Sequence, residues 1–167
     1  RKEHVLSKEI EQVLASLGEV TSTFKTIFSK IDNADLPKKV IKHKGESYEI
    51  THGTYGVLTE SSDRALRKKA YDAYYDAYIS VANTITETYR GNVKKNVFYA
   101  KTRGYDGCLD MALKGEDVSK DVYLNLISSV RDNLPLMHDY MRAKKKALSL
   151  KQMYPYDIRV PAIEGAD

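Results

Sequence analysis

From Ser62 to about Arg103 the chain offers roughly forty residues of helical patterning with no proline. Ser62 and Asp63 are good residues for a helix start. On a helical projection, Leu66, Ala70, Tyr71, Ala73, Tyr74, Tyr75, Ala77, Tyr78, Val81, Ala82 and Ile85 fill an arc of roughly 200°. Lys68, Lys69, Asp72, Asp76, Glu87, Arg90 and Lys94 take the remainder. An apolar face so broad needs neighbours on two sides. Forty residues of helix span about 60 Å, whereas a compact chain of 167 residues is roughly 40 Å across. The pattern therefore predicts either a break near Gly91-Asn92 or packing against polypeptide outside this chain.

The flanking segments are also mainly helical. Ser7 is a plausible N-cap for a helix to about Gly18, and Val20, Phe24, Ile27, Phe28 and Ile31 mark a second helix. Asn33, Asp35 and Pro37 form a loop. VIKH and ESYEI read as two short strands joined by Lys44-Gly45, with Gly45 supplying the positive φ of a tight turn. Two strands alone are marginal in water, so this hairpin must lean on helices or on more sheet. YDGCLDMALKG is a short helix, Ser119 caps the next, and Pro135 is placed to open another. The segment from Met153 onward reads as extended chain, and VPAIEGAD reads as chain entering further structure. The organisation expected is a helical pair (1–36), a hairpin and linking turn (37–61), the long helix and its followers (62–149) and an extended segment (150–167), all in one structural unit.

Composition narrows the function classes. Hydrophobic residues are 42% and charged residues 30%, a soluble globular mixture. The net charge of +4 is mild and interspersed, which gives no nucleic-acid footprint. No window of eighteen consecutive apolar residues predicts a membrane span, and the charged start has no signal-peptide core. The chain begins with Arg1 rather than Met, so its true N-terminus is expected to be missing. A lone cysteine, Cys108, fits a reducing compartment, and the cytoplasm is the expected location.

Catalytic motifs are missing from the pattern. His4, His43, His52 and His138 are the four histidines, and no two share a helix turn as a zinc pair requires. There is no CxxC, GxSxG, P-loop or GxGxxG. Cys108 reads as a small packed side chain; the competing reading makes it a nucleophile served by His52 or His138. Tyr71, Tyr74, Tyr75 and Tyr78 fall at i, i+3, i+4 and i+7. Their rings suit packing on a neighbouring helix, or a wall whose phenols bond peptide backbone. His52, in THGTYG, reads as a loop residue at the corner between hairpin and helix, with Gly53 permitting the turn.

An ordered set of motifs adds a resemblance. It runs through Asn33-Ala34-Asp35-Leu36, Thr51-His52-Gly53-x-Tyr55 and Asp63-Arg64-x-x-Arg67-Lys68-x-Ala70. It continues with Gly91-Asn92-x-Lys94-Lys95, Phe98-Tyr99-Ala100-x-x-Arg103-x-Tyr105 and Tyr156-Asp157-x-x-x-Pro161. The set resembles the N-terminal part of oligoendopeptidase F, a branch of the thimet-oligopeptidase-like zinc metallopeptidases. Asp139 stands where that pattern has a basic residue, and Ser149 where it has glycine. The family's His-Glu-x-x-His helix has no counterpart here, so no catalytic or metal-binding residue carries over to any position.

The resemblance implies a mainly α helical array with one long helix, straight or bent, and one short β-hairpin. It implies the substrate-gating and structural part of an enzyme that hydrolyses short oligopeptides with zinc in the full-length chain. This chain is expected to bind no zinc and to be inactive alone, its partner being the missing C-terminal catalytic domain. His52, Tyr55, Tyr71, Tyr74 and Tyr78 are the expected lining of the substrate channel. The alternative is a self-sufficient helical interaction module whose tyrosine-rich face docks a partner helix.

Overall fold

A computed structural model describes residues 2–162. In chain order its main elements are α1 (Lys8–Lys30), β1 (Lys39–His43), β2 (Glu46–Ile50), α2 (His52–Glu60), α3 (Arg64–Ser80), α4 (Ala82–Thr102), α5 (Cys108–Gly115) and α6 (Lys120–Ala147). The class is mainly α with one antiparallel hairpin, as expected. Two compact units form. The first holds the described residues up to Asp35 together with Ala82–Asp132; the second holds Leu36–Val81 and the described residues from Asn133.

The long helical run is broken, but at Val81 rather than near Gly91-Asn92. Ser80 Oγ donates to the Ala77 carbonyl at 2.6 Å, the acceptor that the Val81 N–H would otherwise use. The Val81 N–H turns to Tyr78 O at 3.1 Å, and φ −117°, ψ 16° takes the backbone out of the helix.

Within the first unit, α1 packs along α4. The helical pair expected before Asp35 is a single helix. Ser7 caps it as expected, but α1 runs through Gly18 and ends in a π-helical turn at Ile31–Asp35. Nothing near Gly18 requires a left-handed backbone, so that glycine costs helix propensity without stopping the helix. Arg103 forks onto Glu11 with 2.7 and 2.8 Å bonds, and Thr21 and Tyr99 share a hydroxyl contact of 3.3 Å. Buried His4 stacks on Tyr105 at 3.6 Å and bonds Arg103 O through Nδ1.

Gly91 has a packing role. A Cβ there would lie 2.2 Å from Phe24 Cε1, so only glycine lets the Phe24 ring lie against α4. Gly91→Ala is expected to destabilise by about 1–2 kcal/mol despite the better helix former. On a Phe24→Ala background the same change is expected to become neutral or stabilising. Urea unfolding of the four variants tests this, and an equal loss in both backgrounds would refute it.

In the second unit, β1 and β2 pair in the register His43↔Glu46 to Lys39↔Ile50. Both turn residues, Lys44 (φ 49°) and Gly45 (φ 89°), are left-handed, the backbone of a two-residue hairpin turn. The hairpin leans on helices: Ile50 joins Leu58 of α2 and Leu66 and Ala70 of α3 in one core, with Ile41 and Tyr48 at its edge. The linking turn expected around THGTYG is instead the start of α2. Thr51 and Thr54 cap each other reciprocally, so His52 and Gly53 are helical and Gly53 makes no turn.

Ser119 caps α6 as expected, but Pro135 lies inside that helix instead of opening a new one. Lys120–Tyr140 is exposed apart from Ile127, so solvent can satisfy the carbonyl that Pro135 leaves without a donor. Val122, Leu126, Val130, Leu134, Met137 and Tyr140 form an uncovered apolar stripe along it. The helix ends with Leu150 N–H on Lys145 O and Ser149 N–H on Lys146 O, leaving Ser149 left-handed at φ 53°. Ser149→Gly is therefore expected to raise stability by about 1 kcal/mol. Thermal unfolding checks the sign. Beyond α6 the expected extended segment carries a 3₁₀ turn at Pro155–Asp157, and its last five residues lie outside the described residues.

Candidate functional site

The second unit gathers its tyrosines into one band. Tyr55 on α2 stacks against Tyr74 on α3, with ring centres 4.0 Å apart and planes 13° from parallel. Tyr75 stands perpendicular to both. Tyr71 contacts Tyr75 at 4.5 Å and Tyr156 at 5.9 Å, and Tyr156 stacks on Tyr154 at 5.3 Å. At the other end His52 Nδ1 shares a 2.8 Å hydrogen bond with Tyr74 Oη, which lies 3.4 Å from Tyr78 Oη. Helical spacing explains the α3 members, since residues three and four apart share a face. Burial, then the neighbouring phenols of Tyr75, Tyr71 and Tyr74, pushes the Tyr55 hydroxyl up to about 12. It thus stays neutral and able to donate at any physiological pH.

All five residues expected to line a channel, His52, Tyr55, Tyr71, Tyr74 and Tyr78, fall in this band. Tyr55 and Tyr74 also pack on the core, so their inner faces serve stability. His52 is exposed, on the first turn of α2. Tyr75, one turn from Tyr71, belongs to the helical row read from the sequence, although it is not among the five residues named for the lining; two further members, Tyr154 and Tyr156, were missed. They lie some eighty residues further along and had no local signal.

What carries Tyr154 and Tyr156 into place is Asp157, which is 0% exposed. Its carboxylate accepts from Arg64 Nε at 3.1 Å and Nη2 at 2.9 Å, from Arg67 Nη2 at 2.8 Å and from the Tyr154 N–H at 3.0 Å. Burial pushes this carboxyl up, but the two guanidinium groups and the Tyr154 N–H more than offset that and hold it below the usual range. Arg67, 2% exposed, also donates to the carbonyls of Tyr156, Ser61 and Ser62. At the hairpin tip, Asp63 caps α3 and accepts from Lys44 Nζ and His43 Nε2, both at 2.8 Å. Lys44 and then His43 hold its carboxyl well below the carboxylate range.

Cys108 is a half-buried free thiol on α5 in the first unit, whereas His52 and His138 belong to the second. Among the described residues no three His, Cys, Asp or Glu side chains are grouped to hold a metal. No helix there is long and apolar enough to cross a membrane.

Comparisons with known proteins extend the resemblance. Residues 57–162 match the model of peptidase family M3, and residues 1–37 match that of oligopeptidase F. Oligopeptidase PepF of Bacillus subtilis is 37% identical over 98% of this chain, and group B oligopeptidase PepB of Streptococcus agalactiae 39% over 96%. The matched regions are only 24% and 27% of those relatives, so the chain spans about a quarter of their length. The crystal structure of oligoendopeptidase-F from Enterococcus faecium superposes with a TM-score of 0.93 at 34% identity, covering 98% of this chain and 32% of that one. From the ordered motifs, the fold and these matches, the chain belongs to peptidase family M3.

Proposed function

We propose that this chain is the substrate-gating and structural part of a zinc metalloendopeptidase that degrades short oligopeptides in the cytoplasm. The observation that carries the reading is the tyrosine band with His52, found in a chain of peptidase family M3. Ring faces take up side chains while phenol groups hydrogen-bond an extended backbone. In this role His52, Tyr55, Tyr71, Tyr74 and Tyr78 line the channel and orient peptide; they do not attack it. Among the described residues no three His, Cys, Asp or Glu side chains gather to hold a metal, so in this reading the zinc would be held by polypeptide outside this chain and the band residues carry no hydrolytic step. The free thiol of Cys108 suits a reducing compartment.

The test uses the full-length gene product and the 167-residue chain side by side. The full-length protein should cleave short unstructured peptides, lose that activity to a chelator and regain it with zinc, while the short chain cleaves nothing. Tyr74→Ala in the full-length protein should raise KM several-fold with kcat little changed, about 1–2 kcal/mol of uniform binding. Chelator-sensitive cleavage by the short chain, or a fall in kcat alone for Tyr74→Ala, would overturn the assignment.

A further inference from the structure

We propose that the cleft between α1 and α4 is a binding site for an aliphatic carboxylate of fatty-acid type, its chain lying along Phe24, Phe28 and Ile85 and its head at Lys25 and Lys95. The site lies within the first unit and does not depend on the tyrosine band of the second.

The two helices run antiparallel: Glu11 meets Arg103, Thr21 meets Tyr99, and Phe24 lies over Gly91. Between them is a cleft of about 420 Å³, a volume within the range of small-ligand sites. Ile85, Tyr89, Asn92 and Lys95 share one face of α4 and form one wall; Phe24, Lys25 and Phe28 form the other. The antiparallel order sets Phe28 towards Ile85, and puts Asn92 and Lys95 at the opposite end, about 15 Å along α4. The two ends differ in chemistry. At the first, the lining is apolar, and the buried Thr88 hydroxyl is already engaged with Thr84 O at 2.7 Å. At the second, Lys95 Nζ donates to Asn92 Oδ1 at 2.7 Å, which turns the amide acceptor onto the ammonium and leaves Asn92 Nδ2 and the other ammonium hydrogens as donors. Lys25, three residues before Phe28, has no hydrogen bond or ion pair among the described residues. No carboxylate lines the cleft. An apolar trough that ends in two ammonium groups complements one negative charge on an apolar body.

An extended peptide would bring an N–H and a C=O with every residue. The backbone groups of α1 and α4 are bonded within their helices, so along the apolar part of the trough a peptide would meet only the Tyr89 phenol, and its unmet amides would be costly. A methylene chain carries no such requirement. A cationic amphiphile would set its head against the two lysines. The cleft therefore selects by charge at one end and by apolar surface at the other.

The experiment titrates decanoate, decanol and decyltrimethylammonium, each below its micellar concentration, into the full-length gene product and into the 167-residue chain, with calorimetry as the readout. One equivalent of decanoate is expected to bind to both proteins, tighter than decanol by about 2- to 30-fold, and the cation is expected not to bind. Replacing both lysines, Lys25→Gln with Lys95→Gln, should bring decanoate to the level of decanol. Phe28→Ser should weaken decanoate and decanol alike, with circular dichroism confirming that the helices remain. Decanol binding as tightly as decanoate, or a preference that survives the double lysine variant, overturns the carboxylate assignment. Binding of the cation on equal terms marks adsorption of detergent and overturns the site. Binding by the short chain but not by the full-length protein means that other polypeptide fills the cleft, and overturns it as well.

Discussion

Asp157→Ala is expected to lower the stability of the second unit by about 3–5 kcal/mol, since it leaves the buried Arg67 charge without its partner. Attraction between charges in a dry site does not by itself make the pair strongly stabilising. The loss arises because the desolvation of Arg67 remains after its compensation has gone. The pH dependence has a definite sign. The folded carboxyl is depressed, so Asp157 contributes fully above its unfolded value of about 4 and loses that contribution as the pH falls through its folded value. Urea unfolding of parent and variant at neutral and strongly acid pH should show a wide gap that narrows in acid. A gap below about 1 kcal/mol at neutral pH would mean that the buried pair is not formed.

Arg67→Lys is expected to cost about 2–3 kcal/mol even though it preserves the charge. One guanidinium reaches Asp157, Tyr156 O, Ser61 O and Ser62 O from three nitrogens. An ammonium is a single point with three donors and cannot span those acceptors. Arg64 provides the control. Its side chain is 41% exposed, so water can replace its bonds, and Arg64→Lys should cost markedly less. Equal losses for the two lysine variants would refute the distinction drawn from burial.

Local signals were legible in the sequence where a few adjacent residues decide the outcome. The caps at Ser7 and Ser119 and the Lys44-Gly45 hairpin depend on residues within one turn of each other, and each formed where expected. The helix breaks were misjudged because glycine and proline were read as punctuation. Gly18, Gly91 and Pro135 all sit inside helices, while the real break at Val81 comes from a serine hydroxyl taking a carbonyl. That competition has no compositional signature. The start of α2 was missed because its capping pair, Thr51 and Thr54, surrounds a glycine that suggests a turn. Of the tyrosine band, the members on α3 followed from helical spacing. Tyr154 and Tyr156 reach it only through Asp157 and its arginines, a tertiary arrangement that no local pattern encodes.

The uncovered stripe of α6 has a consequence for handling this chain in isolation. An amphipathic helix gains most of its stability from burying its apolar face, and one left bare depends on intrinsic propensity, from which an internal proline subtracts about 3 kcal/mol. Its amides around Pro135 should therefore exchange with solvent deuterium earlier than those of α3, whose Leu66 and Ala70 are sealed in a core. A protease added in trace amounts should nick the chain there first, giving one fragment of about 135 residues and one of about 32 and leaving the hairpin and its two helices intact.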